Sequence, residues 1–372
     1  MCEFIDFLIP FKFILSFLDK ITLYQFRNYA HGTFSLPDKV TCITGANGSG
    51  KTNLLDAVYQ LCYTKSYFSS GVQATLMHGT DGFRIEGSFL RQDQRDTVIC
   101  RYKNQKKEVF RNGVEYDKLS EHIGRYTAVM VAPDDIEMIN EGSELRRKFA
   151  DGILSQCDRR YLEALMQYQR VLLQRNAWLK MQAQTASPDY TQLQYYNEEL
   201  SRAGQYIFQA RQQFLQAFMP LLQQYYLELS GGKEAATIQY ESDLQRRPLA
   251  EWLDKDLQHD LRYQRTLRGI HKDELLFLLD GHAVRSFGSQ GQKKSFLFSL
   301  KLAQYAYIRQ QLGHSPILLL DDIFEKLDQQ RMESLLRIIS TDLFGQVLLT
   351  DTHESRVQQA FGSGNQLGFI RL

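Results

Sequence analysis

Up to about residue 131 the apolar positions either alternate with polar ones or gather in short runs. Between Ser143 and Leu221 they recur every three or four residues. The first pattern predicts strands and the second helices. Strands are expected over 21–26, 33–36, 40–44, 83–90, 97–102, 107–111 and 126–131, with a hairpin turn at Asn112-Gly113 and Pro133 closing the series. One helix interrupts them over 52–61, where Leu54, Leu55, Val58 and Leu61 share a face.

A helix begins near Ser143, with Glu144 suitably placed in its first turn, and Leu145, Phe149, Ile153, Cys157, Tyr161, Leu165, Tyr168, Leu172 and Leu179 make one stripe. Thr185-Ala186-Ser187-Pro188-Asp189 breaks it. A second stripe follows from Leu193 through Leu200, Ile207 and Phe214 to Leu221, so the segment reads as an antiparallel, coiled-coil-like hairpin with its tip near Pro188. Ser230-Gly231-Gly232 ends it. Mixed character then resumes, with a strand over 236–240, a helix around 249–265, a strand over 275–279 turning at Asp280-Gly281, and a helix from about 291 to 312. A strand over 317–320, a helix over 329–339 and a strand over 347–349 complete the series.

Composition narrows the class. The 372 residues are 43% hydrophobic and 23% charged with a net charge of +1, so a nucleic-acid partner must be held by a local basic patch. Five cysteines, odd in number and without C-x-x-C spacing, argue against a disulfide framework or a zinc knuckle and favour a reducing cytoplasm. The apolar run over 4–18 is shorter than the roughly 20 residues of a membrane span and carries Asp6, Pro10 and Lys12. It has no basic segment before it and no small-residue cleavage site after it, so residues 1–19 are expected to be a peripheral extension, or the product of translation from an upstream start, with no membrane role.

The chemistry centres on Gly45-Ala46-Asn47-Gly48-Ser49-Gly50-Lys51-Thr52, which reads G-x-x-x-x-G-K-[ST] between a strand and a helix. Glycines let the backbone N–H groups curl around a polyphosphate; Lys51 would bridge its β- and γ-phosphates, and the Thr52 hydroxyl would hold Mg²⁺. Ile317-Leu318-Leu319-Leu320-Asp321-Asp322 is a buried strand ending in two acids. Asp321 suits a contact to Mg²⁺ and Asp322 the orienting or deprotonation of an attacking water. Lys51 and Asp321 lie 270 residues apart yet must meet at one ion, which makes the arm an insertion in a split head. The expected organisation is an α/β P-loop head over 20–135 and 231–372, with a helical arm over 136–230. Phe287-Gly288-Ser289-Gln290-Gly291-Gln292-Lys293 opens the helix before the acid strand, placing a hydroxyl and free N–H groups at a helix N-terminus. An N-cap alone would also use Ser289.

Ser289, Gly291 and Gln292, in an S-x-G-Q element 32 residues before Asp321, resemble the ATP-binding-cassette signature. That resemblance implies a dimer in which Ser289 of one subunit contacts ATP held by Lys51 of the other. Asp328 resembles the D-loop aspartate and His353 the switch histidine. With Phe26-Arg27-Asn28-Tyr29, Ala132-Pro133-Asp134-Asp135, the run from Gly142 to Asp151 and His271-Lys272-Asp273-Glu274, the chain over about 20–372 resembles the RecF family of repair ATPases, related to SMC heads. Lys272 and Glu274 depart from the H-R-D-D usual there. The resemblance implies ATP-dependent dimerisation on gapped or single-strand/double-strand junction DNA, slow DNA-stimulated hydrolysis that resets the clamp, and work with RecR and RecO to load the RecA recombinase. Another SMC-like ATPase or an ATP-gated scaffold is the alternative. Candidate phosphate contacts are Lys103, Lys106, Lys107 and Arg111, and Arg146, Arg147 and Lys148.

Overall fold

The structure, a computed structural model, describes residues 14–91, 94–183, 190–232, 234–325, 328–361 and 367–372. Contacts divide it into two compact units. One comprises the described residues up to Met130 with Ile308–Asp322 and Arg337–Leu372; the other comprises Val131–Tyr307 and Ile323–Leu336.

The first unit contains two sheets. In one the strand order is Leu367–Arg371, Val40–Thr44, Val347–Asp351, Ile317–Leu320 and Ala128–Val131, the first four running parallel. All four side chains of Ile317–Leu320 are buried, each stabilising the fold by about 1.5–3 kcal/mol. This explains why the strand has no alternation: both of its faces are covered. The other sheet is mainly antiparallel and is built on Ile14–Phe26, which pairs with Tyr29–Ser35 and Phe83–Arg91. Gln94–Lys103, Lys106–Arg111 and Val114–Glu115 continue it, the last returning through Asn112 and Gly113, both at positive φ.

The long strand corrects one expectation. It starts at Ile14 rather than 21, so residues 14–19 are sheet backbone and not a peripheral extension, while residues 1–13 lie outside the described residues. Its pairing shifts register between Leu18 and Lys20, and an irregularity of that kind hides the period-two pattern. The buried Gln346 amide joins the two sheets: its Nε2 donates to the carbonyls of Leu18 (2.9 Å) and Leu36 (3.2 Å), and its Oε1 accepts from the Leu18 N–H.

In the second unit, the stripe expected as one helix is two, Ser143–Cys157 and Arg159–Gln182. Asp158 between them is extended, and its carboxylate accepts from the Arg160 N–H at 2.8 Å, as an N-cap should. Thr191–Ser230 runs antiparallel to Arg159–Gln182. Tyr206 donates to Asp158 near one end, and Leu193 packs on Trp178 and Leu179 near the other. Gly231, left-handed at φ 76, closes this helix. The expected tip at 185–189 lies outside the described residues.

The hairpin is not free-standing. Segment 231–307, expected in the head, clusters with it. The helix expected around 249–265 is two, Leu249–Lys255 and Leu257–Tyr263, and Leu257 and Leu261 pack on the Trp178 cluster. Buried Arg175 ties the hairpin to Asp260 (2.7 Å) and Thr266 (2.7 Å). A three-stranded sheet of Ala236–Glu241, Glu274–Leu279 and His282–Ala283 lies in the same unit. The His271–Glu274 run is its hub: His271 Nδ1 meets Tyr168 Oη at 2.8 Å, Asp273 accepts from Arg211 and Tyr240, and Glu274 accepts from Arg146.

Two histidines make the fold acid-sensitive. Burial pushes His122 down to about 4, against the opposing bond to the Leu61 carbonyl, and burial likewise pushes His271 down to about 4, against its bond to the Thr266 carbonyl. Both are neutral in the fold but take a proton near 6.5 in the unfolded chain, so below that pH the unfolded state binds more protons. Stability is therefore full above about 6.5 and falls as pH drops toward 4, by about 2 kcal/mol per histidine at pH 5. Urea midpoints at pH 7 and pH 5 should differ accordingly, and equal midpoints would contradict this. Among the described residues no helix is long and apolar enough to cross a membrane.

Candidate nucleotide site

The parallel sheet delivers its chemistry at the carboxyl ends of neighbouring strands. Val40–Thr44 leads into the glycine loop, which enters the helix Lys51–Tyr63. Gly48 and Gly50 sit at φ 82 and φ 112, where side chains are strained. A Cβ on Gly50 would stand 2.7 Å from the Asn28 amide and 2.8 Å from the Tyr29 hydroxyl. The expected helix face is buried: Leu54, Leu55, Val58 and Leu61 are at most 1% exposed.

Lys51 is buried, and its Nζ donates to the carbonyls of Gly45 (2.9 Å) and Ala46 (3.1 Å). No carboxylate pairs with it in an ion pair among the described residues. Ala46, Asn47 and Gly48 are exposed, and the buried Ser49 Oγ has no hydrogen-bond partner. A buried ammonium held only by carbonyls, an orphaned hydroxyl and an open loop fit a polyphosphate.

Thr52 Oγ1 donates to Asp321 at 3.0 Å from either carboxylate oxygen, and Thr350 Oγ1 donates to the same carboxylate at 2.8 Å. Burial pushes the Asp321 carboxyl up, and the Thr350 and Thr52 hydroxyls oppose this. Asp322 has φ 46, and its N–H donates to Thr350. Thr52 and Asp321 are hard oxygen ligands in contact, which fits Mg²⁺. No group of three or more His, Cys, Asp or Glu residues suited to a metal occurs among the described residues, so the ion would take its remaining oxygens from phosphate and water. His353 is exposed beyond Val347–Asp351, its N–H donating to Asp351.

Several supports were not legible from sequence motifs alone. Asn28 Nδ2 donates to the Ser49 carbonyl (3.1 Å) and the Tyr29 hydroxyl to the Gly50 carbonyl (3.0 Å), so the F-R-N-Y run braces the loop from behind. Arg27 pairs with the fully buried Asp56 at 2.6 Å, and Ser66 donates to the same carboxylate. Polar residues at 56 and 66 carry no pattern that announces this.

In the second unit Ser289 and Gln292 form a reciprocal capping box. The Ser289 N–H donates to Gln292 Oε1 (2.7 Å) and the Gln292 N–H to Ser289 Oγ (3.2 Å), opening the helix Gln290–Leu312. Asp328 is exposed and pairs with Arg331, whose Nε donates to Ser295 Oγ at 2.7 Å. The guanidinium lies where a side chain on Gly291 would go, 3.0–3.2 Å from a built Cβ, which gives that glycine a packing reason. Arg331 thus links the S-x-G-Q helix to Asp328, a contact that no local sequence pattern announces.

The basic candidates fare unevenly. Arg146 is 6% exposed and bidentate to Glu274 (2.9 Å and 2.9 Å), with further bonds to the Met138 and Glu141 carbonyls, so it is a structural tie and not a DNA contact. Lys106 pairs with Glu108 and Glu115, Arg111 with Asp96, and Lys148 with Glu144. Half-buried Lys107 is pushed down by burial. Lys103 is exposed, and Arg147 donates to the Asp273 carbonyl.

A P-loop with an acid pair on the next strand but one of a parallel sheet, and a separate helical unit carrying a capped S-x-G-Q element, define a P-loop ATPase head of the ATP-binding-cassette and SMC type. Residues 17–366 match the RecF/RecN/SMC N terminal domain family. The DNA replication and repair protein RecF of Flavobacterium johnsoniae is 41% identical over 94% of this chain and 98% of its own, and that of Cytophaga hutchinsonii 37% over 94% and 93%. The solved structure of the recombination mediator protein RecF-ATPrS of the RecFOR pathway covers 96% of each chain at 28% identity and a TM-score of 0.86. An Smc head bound to the C-winged helix domain of ScpA, at 15% identity and a TM-score of 0.54, shares the fold. The chain belongs to the RecF family.

Proposed function

We propose that this protein is an ATP-dependent DNA-binding ATPase of recombinational repair, working in a reducing cytoplasm. The observation that carries the reading is Lys51, buried against its own loop carbonyls beside the Thr52–Asp321 pair. In that geometry Lys51 exchanges carbonyl partners for phosphate oxygens. Thr52 and Asp321 would hold Mg²⁺, which neutralises phosphate charge, and Asp322 orients or deprotonates the attacking water.

A solved relative bound to ATP supports the choice of nucleotide. Two copies pair so that Ser289, Gly291 and Gln292 of one complete the site of the other, with Asp328 and His353 at the same junction. The capping box uses the exposed Ser289 Oγ as an acceptor, so its O–H stays free to donate to a γ-phosphate. The closed dimer holds gapped or single-strand/double-strand junction DNA, helps load the RecA recombinase together with RecR and RecO, and is reset by slow, DNA-stimulated hydrolysis. Relatives named for DNA replication and repair support this.

The test is DNA binding by fluorescence anisotropy, with and without ATP, on single-stranded, duplex and gapped oligonucleotides. ATP should tighten binding, most on the gapped substrate. Affinities unmoved by ATP would overturn the clamp.

A further inference from the structure

With most basic candidates neutralised by acids, the remaining positive charge gathers elsewhere. The run Arg262-Tyr263-Gln264-Arg265-Thr266-Leu267-Arg268-Gly269-Ile270-His271-Lys272 carries four Arg or Lys and no acid. It is firmly placed. The helix Leu257–Tyr263 ends at Gln264, left-handed at φ 55; the Thr266 N–H and hydroxyl both donate to Asn176 (2.7 Å and 2.8 Å), and the Leu267 N–H to Asp260 (2.9 Å).

Arg268 is used internally, paired with Asp256 and Asp243 and lying over Trp252. Arg262, Arg265 and Lys272 are exposed, and among the described residues none of them forms an ion pair with an acid. Arg147 brings a fourth cation, fixed by its bond to the Asp273 carbonyl next to Lys272. Burial first, and then the charges of Arg265 and Arg147, hold the Lys272 ammonium below its usual range. That repulsion is what a polyanion relieves.

Tyr263 gives the patch a second chemistry. It is 57% exposed on a pinned segment, with the Arg262 guanidinium 6.0 Å from its ring centre. An exposed aromatic among cations on a pinned backbone is the combination that receives an unpaired base with its backbone phosphates, since every base offers a π-face. A duplex would use the cations but has no base free to stack.

We propose that residues 262–272 with Arg147 form a contact site for single-stranded nucleic acid, in which Tyr263 stacks on a base and Arg265 and Lys272 hold phosphates. The site rests on the DNA-binding reading above and adds to it the surface and the strand type. It lies outside the residues expected to hold nucleotide, so its variants should keep the wild-type thermal midpoint and wild-type ATP turnover in the absence of DNA.

The experiment measures anisotropy of a labelled oligothymidylate and of a duplex on the full-length protein, across a salt series. Tyr263→Ala should weaken the single strand about tenfold while sparing the duplex, and Tyr263→Phe should restore it. Arg265→Glu with Lys272→Glu should flatten the single-strand salt slope by about 1.4. If the wild type binds DNA and these variants bind it equally well, the site is overturned and the patch is left to an acidic protein. If the wild type binds neither oligonucleotide, the DNA-binding reading itself fails.

Discussion

Lys51→Ala is expected to abolish ATP binding and, with it, ATP-dependent pairing of two copies. The loop's carbonyls hold this cation buried at the carboxyl end of the parallel sheet, at 2.9 Å and 3.1 Å. Truncation leaves the backbone cradle but removes the charge that balances a β,γ-phosphate pair in a site of low dielectric. Neighbouring groups cannot compensate: Thr52 is committed to Asp321, and the nearby carboxylates would repel the nucleotide. The fold itself should survive, because only two hydrogen bonds to carbonyls are lost and those carbonyls lie in an open loop. Titration calorimetry with ATP should show at least a hundredfold loss of affinity, an effect of about 3 kcal/mol, with an unchanged urea midpoint. Retained affinity would move the phosphates elsewhere.

The second large effect is on stability. Arg211 is 1% exposed and donates to both oxygens of Asp151 (2.9 Å and 3.1 Å), to Asp273 (2.8 Å) and to the Ile270 carbonyl (2.9 Å). It therefore joins three parts of the second unit: the helix Ser143–Cys157, the long helix that carries it, and the segment entering Glu274–Leu279. Arg211→Met keeps much of the volume but strands two carboxylates, one of them almost fully buried. Removing one partner of a buried pair costs about 3–5 kcal/mol, because the other charge is left without compensation. Replacing Asp273 with Asn in addition should recover part of the loss, since the stranded charge is then gone. A urea midpoint equal to wild type in the single variant would contradict this account.

How much of this was legible in the sequence depended on the range of the interaction involved. The glycine loop and the Asp321-Asp322 pair were readable because each is a local run whose chemistry demands particular residues in order. Their neighbours in space were not. Asn28 and Tyr29 stand out in the sequence only through a family resemblance, yet they hold the Ser49 and Gly50 carbonyls. Asp56 and Ser66 read as ordinary polar positions in the sequence, yet Arg27 is bonded to both. Arg146 misled for the opposite reason: in a run of three cations it resembles a solvated basic face, but Glu274, 128 residues away, takes it inside.

Element boundaries followed the same logic. The helix stripe passed through Asp158 without losing its period, because the next helix packs its apolar side on the same neighbour. The extended Asp158 and its capping bond to Arg160 mark the break. The edge strand Leu367–Arg371 was missed: short and only half-buried, it is specified by pairing with Val40–Thr44 rather than by its own pattern. The split of the chain into compact units was likewise hidden, since residues 231–307 read as mixed α/β while Arg175, Arg211 and Arg146 bind them to the helices.

In the proposed dimer, the loop at Lys51 forms half of a site completed by Ser289 of a second copy. This sharing is tested most directly by mixing two inactive variants, Lys51→Ala and Ser289→Arg, in equal amounts and measuring ATP turnover. In a mixed dimer one site carries both defects, while the other joins an intact Lys51 to an intact Ser289. About a quarter of wild-type turnover should then return if pairing is random, and up to about half if ATP holds together only the mixed pairs, since each mixed dimer keeps one whole site. Turnover no greater than the sum of the separate variants would contradict a site shared between two copies.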